Sequence, residues 1–292
     1  MQNGGNVVSF SVMKTSDHTH AADRLIADLI NVRVYIVDRI PIDEHWNAQD
    51  VLSSYWRLYM NNRDGAAVIL PDDRYDLTAG RIHFVPAWVP FSCECTEAIT
   101  HCYAHFELLG LLGSVTRQVF DRPMALPPLP ELEARVASRM AEVREPDVSP
   151  LYTDCAMKAL ILEALGELFR SLSAHDRARC ELSLRAQSVF EPALTYIDQN
   201  LDSSIINDTL ARLCGLSEDH FIRRFREELG QTPAQYVIEK RLAAASRLLL
   251  HTQDSIDSIA AQTGFANRYY FSRVFSRHLG VPPARYRHAK LA

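Results

Sequence analysis

Residues 264–287 read GFANRYYFSRVFSRHLGVPPARYR. Phe271 and Phe275 are four positions apart, so a helix would place both rings on one face, where they would pack in a core. Arg268 and Arg273 fall on other faces of the same helix. Exposed arginines usually form a solvated surface, and they also contact nucleic acids. The segment that precedes this stretch favours the second interpretation.

The same pattern occurs once earlier in the chain. Residues 210–236 read LARLCGLSEDHFIRRFREELGQTPAQY, and six of their residues recur 50 positions later. The six pairs are Phe221 and Phe271, Arg223 and Arg273, Phe225 and Phe275, Gly230 and Gly280, Pro233 and Pro283, and Tyr236 and Tyr286. So many matches at one offset indicate two copies of one structural unit.

Each copy predicts a short helix, a glycine turn and a second helix that begins at a capping residue. Glycine suits a turn with positive φ, and Ser or Asn suits an N-cap. The corresponding residues are 205–214, Gly215 and Ser217 in the first copy, and 255–263, Gly264 and Asn267 in the second. A helix over 232–250 connects the copies. This order is a helix-turn-helix, whose second helix enters the DNA major groove.

Over residues 190–290 the chain resembles the DNA-binding domain of the AraC/XylS family of transcription regulators. The resemblance rests on the GF turn, the YF pair, F-x-R-x-F and G-x-x-P-x-x-Y-R, all at these spacings. It implies that the connecting helix holds two recognition helices in successive major grooves, about 34 Å apart. It also implies double-stranded DNA and RNA polymerase as partners, with activation as the expected sign of regulation.

The resemblance places base-reading residues on both recognition helices. They are Asp219, Ile222 and Arg223 in the first unit, and Arg268, Tyr269, Ser272 and Arg273 in the second. Arginine can bond guanine O6 and N7 in a bidentate manner, so the three arginines carry most of the expected readout. Asp219 and Ile222 depart from the usual donors. Asp219 can accept a hydrogen bond from cytosine, and Ile222 can touch a thymine methyl group. Both residues are equally consistent with a first unit that contributes less to base recognition than the second.

The charge is distributed unevenly along the chain. The net charge is −5, but residues 186–292 carry 13 Lys and Arg against 11 Asp and Glu, whereas residues 1–185 carry 18 against 25. The acidity therefore belongs to the first part and does not argue against DNA binding. We expect a cytoplasmic protein with reduced thiols, since the six cysteines form no CxxC pair and the sequence shows neither a signal peptide nor a long apolar run.

Residues 30–106 are rich in β-branched and aromatic residues broken by turn signals, which is typical of a barrel or sandwich. The predicted fold class is α+β, with an N-terminal cupin-like β-barrel, dimerisation helices, and an all-α domain with two helix-turn-helix units. The predicted domains are a flexible tail over 1–20, an effector-binding barrel over 21–120, connector and dimerisation helices over 121–185, and the DNA-binding domain over 186–292.

By the same resemblance, the barrel would bind a small effector, with a sugar as the first expectation. The implied pocket residues are Asn62, Trp88, Phe91, Cys93, His101 and Tyr103. Strand alternation in ITHCYAHF independently puts His101, Tyr103 and His105 on one face. That face is consistent with a polar pocket, a metal site or a solvated surface. The cupin metal signature is missing, so neither a metal nor another cofactor is expected.

The sequence thus predicts a homodimeric regulator, not an enzyme, that responds to an effector in its N-terminal domain. A constitutive or protein-partnered regulator, whose barrel only dimerises, is the first alternative. A metal-dependent cupin enzyme fused to a DNA-binding domain is the second. No nucleophile elbow, phosphate loop or catalytic carboxylate pair stands out in the sequence.

Overall fold

A computed structural model describes residues 30–49, 51–143 and 145–288. The predicted flexible tail over 1–20 lies outside these residues. The described chain forms an N-terminal sheet domain followed by a helical domain. The mixed α and β content agrees with the predicted fold class.

The described residues of the sheet domain form eight strands. They are β1 (Asn31–Ile42), β2 (Trp56–Asn61), β3 (Ala66–Ile69), β4 (Arg74–Asp76), β5 (His83–Val85), β6 (Ser92–Cys95), β7 (Ile99–Leu109) and β8 (Met124–Ala125). Five of them form one antiparallel sheet in the order β1-β7-β2-β5-β8, and three form a second in the order β4-β3-β6. The sequence did not predict the strands β4 and β6, which have only three and four residues.

The predicted closed barrel is not what the described strands form. The two sheets have no ladder in common, and an isolated bridge between Val51 and Phe91 lies outside the named strands. Closing a barrel requires the edge strands to pair across the seam. Two of the four edge strands, β4 and β8, have only three and two residues, so they offer few backbone groups for such pairing.

The five-stranded sheet separates two apolar clusters. Because side chains alternate along a strand, Trp56, Leu58 and Phe106 face one side and Tyr59 and Tyr103 face the other. On the first side, helices α2 (Pro130–Glu142) and α3 (Pro150–Ser171) cover the sheet. The second side packs against the three-stranded sheet and forms the interior of the sheet domain.

Helix α1 (Gly113–Val119) follows β7, as the pattern in LGLLGSVTRQVF predicts. Helix α4 (Ala174–Gln199) is a single helix of 26 residues. It runs across the predicted domain boundary at residue 185, where the sequence indicates only short helices. Ser173 caps it by accepting from the Asp176 backbone N–H at 3.1 Å.

The helical domain contains the two predicted units. The first unit comprises α5 (Asn207–Leu213) and α6 (Glu218–Leu229), and the second comprises α8 (Ile256–Gln262) and α9 (Arg268–Leu279). The linker helix α7 (Pro233–His251) connects them, and α10 (Pro283–His288) follows. None of the helices in the described ranges combines the length and apolar character needed to span a membrane.

Candidate nucleic-acid interface

Aromatic rings hold the recognition helices in equivalent positions. In the second unit, the ring centroids of Phe271 and Phe275 are 5.4 Å apart, and Phe275 lies 5.2 Å from Tyr286. In the first unit, Phe221 and Phe225 are also 5.4 Å apart. All four phenylalanines are fully buried. The predicted core role of these residues is confirmed, and the opposite faces of both helices are left for contact with a partner.

The turns between the helices have the predicted geometry. Gly215 has φ of 66° and Gly264 has φ of 74°. A Cβ on Gly264 would also collide with the carbonyl oxygen of Leu201. Glycine is therefore required at this turn for two reasons, and the angle between the two helices of the unit depends on it.

The second recognition helix begins at Asn267, whose Oδ1 accepts from the Tyr270 backbone N–H at 2.9 Å. The predicted cap at Ser217 has the extended backbone of an N-cap but makes no side-chain hydrogen bond. Backbone N–H groups at such a helix start favour phosphate groups. The N-termini of α6 and α9 therefore suit a position close to the DNA backbone.

The predicted reading residues of the second unit lie mainly at the surface. Tyr269 is 85% exposed, Arg268 and Arg273 are exposed, and Ser272 is half-buried. The surface of α9 therefore presents one aromatic ring and two guanidinium groups together.

Among the predicted reading residues, the first unit presents fewer hydrogen-bond donors at its surface than the second unit. Asp219 and Arg223 are exposed, whereas Ile222 is half-buried and packs against the core of its own unit. The thymine-methyl contact considered for Ile222 would use the part of its side chain that the core leaves uncovered. Arg223 is therefore the main candidate for base contact on α6.

Sequence reasoning missed two neighbours of the reading arginines. Asp257 on α8 pairs with Arg268, with Nη1 and Oδ2 3.1 Å apart. The Arg273 guanidinium lies 5.6 Å from the ring centroid of Tyr270. These contacts orient both arginines before DNA arrives. Asp257 and Arg268 are 11 residues apart and lie on different helices, on either side of the turn. Helical periodicity therefore could not predict their contact.

A cleft of about 660 Å³ lies between the two units. Glu218 at the start of α6 lines it, with Arg241 of the linker helix and Tyr270 of α9. Arg241 also holds the loop before α5, since its Nε donates to the Leu201 carbonyl oxygen at 2.9 Å. The linker helix thereby fixes the first unit relative to itself.

The structure brings only part of the predicted effector set together. Phe91, Cys93, His101 and Tyr103 are buried in the interior of the sheet domain. The remaining two residues lie elsewhere. Asn62 is exposed and accepts from the Thr100 backbone N–H, and Trp88 lies at the boundary with the helical domain.

Strand alternation predicts that His101, Tyr103 and His105 share one face, and the structure places all three in the interior. His101 Nδ1 donates to Asn61 Oδ1 at 2.7 Å. Burial lowers the pKa of His101 to about 3, so its imidazole is neutral at pH 7. In the described part of the chain, no group of three His, Cys, Asp or Glu side chains is arranged to hold a metal ion.

The interior also contains Arg57, which sequence reasoning did not select. The only indication in the sequence was that Trp56 and Arg57 are neighbours on a predicted strand, so that one of the two side chains must face inward. The structure turns Trp56 towards Phe84, Phe106 and Phe120, and buries Arg57 on the inner side with 2% of its surface exposed.

Two copies of a helix pair joined by a glycine turn, each with exposed arginines on its second helix, define a helix-turn-helix DNA-binding protein. A family model described as a helix-turn-helix domain matches residues 210–289. The chain is 32% identical over 102 residues to the regulatory protein SoxS of Salmonella typhimurium, which covers 35% of this chain and 95% of SoxS. The chain belongs to the AraC/XylS family of transcription regulators.

Two longer relatives match over part of their length. The MmsAB operon regulatory protein of Pseudomonas aeruginosa is 33% identical over 92 residues, which is 32% of this chain and 30% of that protein. The transcriptional activator RhaR of Salmonella dublin is 32% identical over 124 residues, which is 42% of this chain and 44% of RhaR. The match thus spans less than half the length of either relative.

One solved structure resembles the chain over both domains. The crystal structure of ToxT from Vibrio cholerae covers 91% of this chain and 100% of its own, with a TM-score of 0.51 and 13% identity. At that identity the likeness concerns the fold alone. The combination of a sheet domain with a double helix-turn-helix domain is therefore a fold seen in a solved regulator.

Proposed function

We propose that the protein is a homodimeric transcription activator whose two helix-turn-helix units bind successive major grooves, and whose sheet domain responds to a small effector. The observation that carries the proposal is the equivalence of the two units on one linker helix. Each unit exposes an arginine of its recognition helix at the same position, Arg223 in the first unit and Arg273 in the second.

DNA recognition would divide between two kinds of contact. Arg223, Arg268 and Arg273 would read base edges, with Tyr269 and Ser272 at base edges or phosphates and Asp219 at cytosine. The N-termini of α6 and α9 would meet the phosphate backbone. Because several phosphates would be neutralised, binding should weaken steeply as the salt concentration rises.

Several polar contacts join the sheet domain to the linker helix and support a coupling between the domains. Lys240 Nζ lies 3.3 Å from Asp198 Oδ1 of α4 and 3.9 Å from Glu107 Oε1 of β7. Glu107 also accepts from the Tyr35 hydroxyl at 2.8 Å. A ligand that changed the position of β7 would therefore act on the linker helix directly.

The exposed face of α3 supports dimerisation through this helix. Leu151 is 73% exposed, and Cys155, Ala159 and Gly166 follow it at helical spacing on the same face. Leu162 is half-buried beside them. A second copy of α3 would cover this row, and α3 lies within the predicted connector and dimerisation segment over 121–185.

Activation, with RNA polymerase as partner, is proposed because two relatives are named as activators. RhaR is named a transcriptional activator, and a Staphylococcus xylosus relative, 30% identical over 96 residues, is named the lactose operon transcription activator. No catalytic role is proposed for this chain.

A constitutive regulator is the second candidate, and one observation favours it. The interior of the sheet domain is filled by the protein's own side chains, since Phe91, Cys93, His101 and Tyr103 are each at most 5% exposed. A sugar would have to displace them. Trp88, one of the predicted pocket residues, lies outside this interior, and so does Trp56.

Selection of bound sequences from random DNA by the full chain tests the proposal. We expect an enriched site with two conserved segments about one helical turn apart, each read by one unit. In vitro transcription from a promoter that carries this site, with purified RNA polymerase, should then increase on addition of the protein. Enrichment of no sequence would overturn the DNA-reading assignment, and unchanged or reduced transcription would overturn activation.

A further inference from the structure

A cleft of about 500 Å³, called the junction cleft below, lies where the sheet domain meets both helix-turn-helix units. Each of the parts that meet there contributes side chains to its wall. The sheet domain contributes Trp88, α1 contributes Arg117, the turn after α6 contributes Gln231, the linker helix contributes Glu239, and the end of α9 contributes Arg277. Boundaries between domains are common places for small ligands, and this volume is within their usual range.

Trp88 forms the aromatic part of this wall. Its φ of 69° lies in the left-handed region, which residues other than glycine rarely adopt. Its backbone N–H donates to the Ser53 carbonyl oxygen at 2.8 Å, which helps to hold that conformation. Leu52 and Ile238 also line the cleft, and all three side chains are partly buried against the core of the second unit. Strained backbone is concentrated at ligand-binding sites, and an indole ring with aliphatic neighbours suits a flat apolar body.

The charged side chains of the junction cleft leave one positive charge in excess. Glu239 is already paired with Arg117, with Oε1 and Nη1 2.7 Å apart. Arg277 is exposed at the end of α9 and takes part in no ion pair with another described residue. His278, which also lines the cleft, adds no negative charge. The cleft therefore favours a ligand with a single negative charge.

Gln231 supplies a hydrogen-bonding group that the protein does not use. Its side chain lines the cleft and is only 8% exposed, and within the described ranges its Nε2 is buried without a hydrogen-bond partner. A buried donor without a partner is unfavourable, so a ligand that supplies an acceptor gains affinity from it. A half-turn of the amide exchanges the places of Nε2 and Oε1, and an acceptor in the cleft favours the orientation that presents the donor.

We propose that the junction cleft binds a small aromatic carboxylic acid, with its ring against Trp88 and its carboxylate held by Arg277 and the Gln231 amide. A guanidinium binds a carboxylate more strongly than it binds neutral oxygens, and aromatic rings stack on an indole. The inference rests on the proposed effector response for its biological role, and it names the ligand class and the place of binding. It does not require the filled interior of the sheet domain to open.

A ligand in this cleft would connect the effector to DNA binding. The sheet domain reaches the first unit here, since Ser114 Oγ of α1 donates to the Leu229 carbonyl oxygen at 3.2 Å. Arg277 belongs to the recognition helix of the second unit. A ligand that contacts all these parts favours the arrangement in which they lie together. Acid binding and DNA binding must then alter each other's affinity by the same factor.

Isothermal titration of the full chain with benzoate, 1-naphthoate and indole-3-acetate tests the ligand class. Each acid is compared with its primary amide, which keeps the ring and loses the charge. Benzoate is also compared with cyclohexanecarboxylate, which keeps the charge and loses the flat ring. We expect saturable binding of at least one aromatic acid, and at least tenfold weaker binding of its amide. If benzoate binds, cyclohexanecarboxylate should also bind at least tenfold more weakly.

Two variants test the place of binding. Arg277→Gln should weaken acid binding at least tenfold, whereas Arg285→Gln, which changes an exposed arginine of α10 outside the cleft, should bind like the wild type. Gln231→Met should also weaken acid binding, while the ligand-free melting temperature stays equal or rises, because the change removes a buried donor without a partner. A large fall in that temperature would show that the amide is structural and would remove Gln231 from the site.

Three results would overturn the site. They are no binding of any of the three acids, equal binding of acid and amide, and wild-type affinity in Arg277→Gln. A sugar that binds equally well to the wild type and to Arg277→Gln would leave the effector response standing and refute only this cleft as its place. Acid binding that depends on Arg277 but does not change the affinity for the selected DNA site would confirm the site and refute its role in the effector response.

Discussion

Arg117 of α1 and Glu239 of the linker helix form an ion pair, with Nη1 and Oε1 2.7 Å apart, that joins the sheet domain to the DNA-binding domain. The Arg117 guanidinium also lies 5.6 Å from the ring centroid of Trp88. A Cβ on Gly113 would collide with the Glu239 carboxylate, so a side chain at this position would displace that carboxylate. The domains therefore meet through specific contacts.

Glu239→Ala should loosen this contact with little effect on overall stability. Because Arg117 is 44% exposed, the pair contributes at most about 1 kcal/mol to the free energy of unfolding. Hydrogen exchange in residues 113–119 should become faster. The reversed pair, Arg117→Glu with Glu239→Arg, should restore slow exchange, and equal exchange rates in all variants would show that the contact does not hold the domains together.

Arg273→Ala should weaken binding to the selected DNA site by about 1–3 kcal/mol and relax base preference at one position. The reason is the loss of a bidentate contact with a base edge, while the fold remains intact because Arg273 is exposed. Fluorescence anisotropy with the site and with single-base variants measures both effects. Arg122→Ala, an exposed arginine of the sheet domain, is the matched control, and equal affinities for both variants would remove Arg273 from the reading set.

Phe275→Ala and Tyr269→Ala both remove an aromatic ring from α9. The first should lower stability, and the second should lower DNA affinity without a change in stability. Phe275 is fully buried against Phe271 and Tyr286, so its loss should cost about 3–5 kcal/mol of stability. Tyr269 is 85% exposed, so its loss should leave unfolding unchanged and weaken DNA binding. Urea unfolding and DNA titration of both variants distinguish the two roles. A wild-type unfolding curve for Phe275→Ala would contradict the core assignment.

The helix-turn-helix units could be predicted because their signals are local. Each of these signals depends only on neighbours within one unit: the glycine turns, the capping asparagine and the aromatic rings four residues apart. The internal repeat shows the unit twice, which supports the prediction further. Only some of the residues that face the interior of the sheet domain could be predicted. Alternation placed His101 and Tyr103 on one face, but it could not say whether Arg57 or Trp56 faces inward.

Other features could not be read from the sequence because they depend on distant contacts. Trp88 lies in strand-like sequence, yet it packs against the second unit because the two domains dock there. Its φ of 69° is unusual for a residue other than glycine, and only tertiary packing can hold it. The separate three-stranded sheet likewise depends on pairing between β3 and β6, which lie far apart in sequence.

Stability should fall as the pH falls below about 6.5, in part because of His101. Burial lowers the pKa of His101 to about 3, whereas an unfolded histidine titrates near 6.5. Between these values the unfolded chain binds a proton that the folded chain does not, so acid favours unfolding. The expected contribution at pH 5 is a loss of about 2 kcal/mol.

Urea unfolding of the wild type and of His101→Gln at pH 7.5 and pH 5 measures this contribution. The difference between the two pH values should shrink by about 2 kcal/mol in the variant. His220→Gln, at an exposed position on α6, is the control for the removal of a histidine. An unchanged pH dependence in His101→Gln would show that the imidazole is not kept neutral by burial.

Leu151→Glu should convert the proposed homodimer into monomers. Leu151 is 73% exposed at the start of the apolar row on α3, and a charge there would be buried without a partner in a dimer that uses this face. Leu182→Glu on α4 is the matched control, because Leu182 is 69% exposed and lies outside the row. Sedimentation velocity should show a dimer for the wild type and for Leu182→Glu, and a monomer for Leu151→Glu. A dimer in all three proteins would place the interface elsewhere, whereas dissociation only in Leu182→Glu would move it to α4.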